Sequence, residues 1–201
     1  MNQKNQHPPQ AEINSVIALY SNGQIQEALD AVETLTKGYP NEPLLYNISG
    51  VCYKAIGQLK AAVQSFEKAL AIKPDYTEVN YNLGLTLQEL GQLNAAVKCY
   101  KKALDVNPDH TEAYYNLTIA HNNLGLNFME LGQVNDAVKC YEKALAVNPD
   151  HAEAHNNLGV TLKELGQLDD AVKCYEKALV IKPDYAVARN NLDIALEELS
   201  S

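Results

Sequence analysis

The stretch ELGQLNAAVKCYKKALDVNPDH, residues 89–110, returns almost letter for letter at 130–151 and at 164–185. Residues 118–151 and 152–185 agree at 22 of 34 positions. A chain that repeats itself this closely does not close round one unique core. Equivalent segments must make equivalent contacts with their neighbours, and the outcome is a linear array. The prolines mark the period. Pro40, Pro74 and Pro108 stand 34 apart, as do Pro149 and Pro183, whereas Pro108 and Pro149 stand 41 apart, an excess of seven residues.

Each repeat reads as two helical halves. The first runs like Thr77–Leu90 and the second like Leu93–Val106. Gly91 ends the first, as glycine does just past a helix C-terminus. Pro108 and Asp109 end the second and open the next repeat. In the second half Ala96, Tyr100, Ala103 and Leu104 recur at three- and four-residue steps and form one apolar stripe. Small residues recur too: Gly50, Gly84, Gly125 and Gly159 in first helices, Ala62, Ala96, Ala137 and Ala171 in second helices. A glycine inside a helix costs about 1 kcal/mol against alanine, so its repetition implies close helix contact.

The pattern resembles the tetratricopeptide repeat (TPR) family. The matching residues are Asn82-Leu83-Gly84, Leu90-Gly91, Ala96, Tyr100, Ala103 and Pro108. The family's early tryptophan is replaced by Tyr46, Asn80, Tyr114, His121 and His155. The first repeat departs most, with Val16 in place of glycine and Val32 in place of the aromatic ring. The resemblance implies an all-α fold, a right-handed superhelix of helix-turn-helix repeats. The repeats are read at 9–42, 43–76, 77–110, 111–151 and 152–185, with a capping helix at 186–199 that carries Asp193 at the glycine position. Residues 1–8, polar and proline-bearing, are expected to be disordered.

In this family first helices line a concave groove that takes peptides or partner proteins. The groove position of each first helix holds Asn14, Ile48, Asn82, Asn116, Asn157 and Asn191, and the extra heptad adds Asn123 in the same phase. A carboxamide can meet both the N–H and the C=O of an extended backbone. The row is similar to the asparagine ladder of O-linked N-acetylglucosamine transferase TPRs. A second use stays open, in which these asparagines pack one repeat on the next. Tyr81, Tyr115, Lys54 and Lys163 complete the candidate groove set, the two lysines being read as its cations.

The chain carries a formal charge of −9. That balance counts against nucleic acid, which rewards cationic side chains. Glu78, Glu89, Glu112, Glu130, Glu153 and Glu164 cluster on first helices, while Lys98, Lys101, Lys102, Lys139, Lys143, Lys173 and Lys177 fall on second helices. The asymmetry points to neutral or basic peptides. A clamp for a terminal carboxylate needs Lys, Asn and Arg, and Glu78, Tyr81, Glu153 and Asn157 stand at such places. No apolar run approaches the ~18 residues of a membrane span, and the start lacks the apolar stretch of a signal peptide. Cys52, Cys99, Cys140 and Cys174 are far apart, as free packing thiols of a reducing, cytoplasmic setting would be. His151 and His155 are one helical turn apart, but Ala152 stands where the zinc-protease pattern needs glutamate. No metal, cofactor or catalytic group is expected, and the chain is not read as an enzyme.

The seven extra residues are a tandem duplication, TEAYYNL (111–117) followed by TIAHNNL (118–124). Seven residues turn a helix through only ~20° less than two full turns. One continuous helix from Thr111 to about Leu131 is therefore predicted. Its early part is expected to pack on Leu93–Val106 and its late part on Val134–Val147, with a step in the array. The function expected is a scaffold that holds an extended peptide. The alternatives are the N-terminal recruiting array of a larger enzyme, such as a glycosyltransferase or sulfotransferase, and a self-associating homo-oligomeric array.

Overall fold

The computed structural model describes residues 7–201. Most of the tail expected to be disordered thus lies outside the described residues. Of its last two residues, His7 sets Nδ1 2.6 Å from the Glu42 carboxylate and Pro8 is buried. The described residues form eleven helices and no strand. They are α1 (Gln10–Ser21), α2 (Ile25–Gly38), α3 (Pro43–Ala55), α4 (Leu59–Ile72), α5 (Thr77–Glu89), α6 (Leu93–Val106), α7 (Thr111–Glu130), α8 (Val134–Val147), α9 (Ala152–Glu164), α10 (Leu168–Ile181) and α11 (Ala186–Leu199). They fall into two compact bodies, residues up to 110 and residues 111–201. In each body odd-numbered first helices alternate with even-numbered second helices, and each helix packs mainly on those next to it in sequence. The fold is an all-α solenoid of TPR type.

Two different turns punctuate it. Within a repeat the chain reverses through a glycine in the left-handed region, as at Gly91 with φ +72°. Gly91 N–H donates to the Gln88 carbonyl (2.9 Å) and Gln92 N–H to the Leu87 carbonyl (2.8 Å), which satisfies the last turn of α5. Between repeats the chain leaves through an extended residue such as Asn107 (φ −128°, ψ 91°), as required before a proline. That exit is then tied to the next helix. Tyr46 Oη donates to the Pro40 carbonyl (3.0 Å), Asn80 Nδ2 to Pro74 (3.1 Å), His155 Nε2 to Pro149 (2.9 Å) and an Arg189 N–H to Pro183 (3.3 Å). These residues hold the position where the family has tryptophan. Tryptophan offers one N–H donor, and Tyr46, Asn80, His155 and Arg189 each place a donor on the carbonyl of the proline six residues earlier.

The contact that sets helix spacing within each hairpin is a ring against a glycine sixteen residues earlier. Phe66, Tyr100, Tyr141 and Tyr175 are almost wholly buried, each over Gly50, Gly84, Gly125 or Gly159. A Cβ built on Gly159 would sit 2.6 Å from Cε1 of Tyr175, and one on Gly84 2.5 Å from Cε1 of Tyr100. Ala62, Ala96, Ala137 and Ala171, all fully buried, supply the small surface on the second helices. The first hairpin solves the same problem differently. Val16 and Val32, also sixteen apart, share one core with Ala28, Leu29 and Cys52. A smaller side chain has replaced the ring and a larger one the glycine, and the contact stays filled.

The duplicated heptad lies in one unbroken helix, the 20-residue α7. Ala113, Leu117, Ala120 and Leu124 are all buried, as the near-integral number of turns requires. Thr118 takes the glycine position of the first copy and turns its hydroxyl back onto the Tyr114 carbonyl (3.0 Å). Gly125 of the second copy receives the Tyr141 ring.

Gly159→Leu should cost about 1–3 kcal/mol, the usual range for overpacking, read as a lowered urea midpoint with an unchanged slope. The rings also predict an alkaline limit. Burial pushes the Tyr141 and Tyr175 hydroxyls from 10.0 up to about 12, and Tyr100 in the same direction. Below pH 10 folded and unfolded chains both keep these protons. Above it the unfolded chain ionises first, so stability should fall across pH 10 to 12. Thermal melts should show that fall, and Tyr141→Phe with Tyr175→Phe should flatten it.

Candidate functional site

First helices that neighbour each other run parallel, and one register governs their side chains. Asn82 Nδ2 donates to Asn47 Oδ1 (3.3 Å), Asn157 Nδ2 to Asn122 Oδ1 (3.1 Å) and Asn191 Nδ2 to Asn156 Oδ1 (2.9 Å). Each pair is 35 residues apart, one repeat plus one residue. The acceptors Asn47, Asn122 and Asn156 are buried. They are not among the candidates read from the sequence. For Asn122 and Asn156 the doubled Asn-Asn of 122–123 and 156–157 is a signal, whereas Asn47 stands before Ile48 and carries none.

The ladder residues Asn82, Asn157 and Asn191 are half-buried. Each spends one N–H on its clasp, and a carboxamide has two N–H donors and two acceptor lone pairs. The clasp therefore uses only part of the hydrogen-bonding capacity of each carboxamide. Asn116 turns its amide to the Glu112 carbonyl of its own helix (2.8 Å). Asn123 is half-buried one heptad further along α7. Tyr81 is half-buried, its ring 4.7 Å from that of His110 and 6.1 Å from that of Tyr100. Tyr115 is 58% exposed.

Lys54 and Lys163 are not open cations. The same register of 35 residues places Lys54 Nζ 2.8 Å from Glu89 and Lys163 Nζ 2.6 Å from Glu198. Each lysine meets a carboxylate on the following first helix and is neutralised there. In the first body this pair borders a recess of about 420 Å³ lined by Tyr20, Val51, Lys54, Asn82 and Glu89, with Phe66 behind. α1, α3 and α5 thus contribute to one concavity that contains a ladder rung.

The remaining candidates are occupied structurally. His151 Nδ1 accepts from Ala154 N–H (3.1 Å) and caps α9, while His155 holds the Pro149 carbonyl. Their nitrogens face different backbone partners. Among the described residues no group of three or more His, Cys, Asp or Glu side chains could hold a metal ion. The four cysteines are unpaired. Burial pushes Cys52 and Cys174 up to about 11, and Cys99 and Cys140 upward as well. A thiol so shifted is a poor nucleophile at neutral pH. Lys139 and Lys173 pair with Asp136 and Asp170 on their own helices, both 2.9 Å apart and well exposed. No described helix is long and apolar enough to cross a membrane.

Hairpins wedged by glycine and ring, joined through proline-marked turns and clasped across first helices, define an α-helical repeat protein. Tetratricopeptide-repeat family profiles match residues 14–77, 55–121, 125–166 and 152–185. The chain belongs to the tetratricopeptide repeat family. Among solved structures it is similar to the MamA protein (TM-score 0.64, 24% identity, covering 88% of this chain and 93% of that one). It is also similar to YrrB, described as a TPR protein with an unusual peptide-binding site (TM-score 0.64, 25% identity, 89% of each chain). A curated relative, the peroxisomal targeting signal receptor of Kluyveromyces lactis, is 28% identical over 75 residues. That match spans 37% of this chain and only 13% of the relative.

Removal of a buried clasp acceptor should cost more than removal of a partly exposed charge. Asn156→Ala should lose about 1–3 kcal/mol, since it leaves the Asn191 donor without its partner. Lys163→Met should change stability by less than about 1 kcal/mol. Chemical denaturation of the two variants side by side checks the order.

Proposed function

We propose that this chain is a protein-interaction module that holds an extended peptide, neutral to basic, on its first-helix face. The observation that carries the reading is the recess of α1, α3 and α5. It joins a rung, Asn82, to an aliphatic wall and a self-neutralised ion pair. Such a surface can hydrogen-bond a backbone without demanding a charged end group. The rungs keep capacity beyond their clasps. The preference of the face for cationic partners comes from glutamates on first helices whose lysine neighbours are few and already paired. The likeness to YrrB, a TPR protein with a peptide-binding site, supports the same reading.

A second reading uses the same face: an array that recruits substrate for a larger enzyme. The curated relatives carry the matched segment within much longer chains, of which it is 13% and 14%.

The test is affinity capture with the wild-type chain beside a variant combining Asn82→Ala, Asn157→Ala and Asn191→Ala. Peptides or proteins held by the wild type should be lost from the variant. Circular dichroism well below the melting transition should still show a native helical spectrum, with a lower melting temperature because three clasps are gone. Retention of the same partners by the destabilised variant would assign the asparagines to packing alone.

A further inference from the structure

Three residues beyond each rung stands an aliphatic side chain on the same helix face. In the second body these are Leu126, Val160 and Ile194, spaced 34 apart on α7, α9 and α11. Leu126 and Ile194 are 41% and 38% exposed, and Val160 is half-buried. The equivalent Val51 in the first body lines the recess beside Asn82, which places this row on the face that carries the rungs. One turn beyond Leu126 and Val160 stand Glu130 and Glu164. Both are exposed, and neither has an ion-pair partner among the described residues. The next member of that acidic row, Glu198, is held by Lys163. The residue that would answer Glu164 as Lys163 answers Glu198 is Met129. The face is therefore a row of apolar contacts, one per helix, beside two uncompensated carboxylates.

The spacing of that row selects the conformation of what fits it. α7, α9 and α11 are direct neighbours, and packed helices lie about 8–10 Å apart. A β-strand returns a side chain to one face every second residue, after only about 6.6 Å. A polyproline-II segment returns one every third residue, after about 9.3 Å, and its backbone N–H and C=O groups are unpaired. Only the second matches one side chain to one helix, and it leaves the backbone free for Asn123 and Asn157.

We propose that the α7–α9–α11 face takes a polyproline-II segment with an apolar side chain at every third residue, set on Leu126, Val160 and Ile194, and Lys or Arg between them, set on Glu130 and Glu164. This rests on the first-helix face being the binding face, and it names the period, conformation and charge of the partner.

The experiment is selection of a displayed library of random peptides, about twelve residues long or four polyproline-II turns, on the full chain. Enriched peptides are then synthesised with a fluorophore and titrated by anisotropy. Enriched sequences should share apolar residues at i, i+3 and i+6 with Lys or Arg between. Moving the same residues to i, i+2 and i+4 should weaken binding about tenfold or more, equivalent to ~1.4 kcal/mol. Leu126→Ser with Val160→Ser should weaken it similarly, and Glu130→Gln with Glu164→Gln should weaken it and flatten its salt dependence. Enriched peptides with another period, still sensitive to Leu126→Ser and Val160→Ser, would overturn the period while leaving the binding face intact. Peptides insensitive to both pairs of substitutions, or no enrichment at all, would overturn this proposal; if the asparagine variant also retains its partners, the binding face falls with it.

Discussion

Four of the five helical hairpins depend on an aromatic ring pressed onto a glycine sixteen residues earlier. The ring brings the two helices of a hairpin to contact distance, and the missing Cβ is what makes room for it. Glycine inside a helix sacrifices about 1 kcal/mol against alanine, and burial of the ring more than offsets that, since a large side chain gains roughly 1.5–3 kcal/mol when fully buried. The first repeat shows that the constraint is on filled volume. Val16 and Val32 satisfy it without a glycine or a ring.

The second organising element is the offset between neighbouring first helices. A shift of one residue per repeat puts every side chain opposite the one that follows its own position in the next repeat. The asparagine clasps and the Lys54–Glu89 and Lys163–Glu198 pairs all obey it. Polar contacts of modest individual worth thereby recur along the array and bind neighbouring repeats edge to edge. The same shift removes both lysines from the inventory of open cations and, with them, Glu89 and Glu198 from the open carboxylates, so the net charge of the face is unchanged.

The asparagine row clasps neighbouring first helices, and in the function we propose the same side chains also meet the peptide backbone. One N–H of Asn82, Asn157 or Asn191 is committed to a buried acceptor, which restricts the rotamer of the side chain. A rung held in place before a ligand arrives loses less freedom on binding. In the same proposal the aliphatic row beside it supplies non-directional contact, and Glu130 and Glu164 supply charge. Each property comes from a different position within two successive turns of one helix.

The array, its helix boundaries, the glycine turns and the small-residue contacts were legible in the sequence, because periodicity repeats each local signal several times over. The long α7 was legible for the same kind of reason: seven residues nearly complete two turns, so burial of Leu117 and Leu124 follows from helix geometry alone. What the repeat pattern could not show was which side chains meet across helices. Asn47, Asn122 and Asn156 look like ordinary polar surface residues until the one-residue offset buries them under Asn82, Asn157 and Asn191. His155 looks like half of a metal pair until its ring is seen on the Pro149 carbonyl. Lys54 and Lys163 look like free cations until Glu89 and Glu198 come within reach. Period along the chain is a local property and survives in the letters; register between helices is decided by how side chains interlock, and that exists only once the repeats are packed.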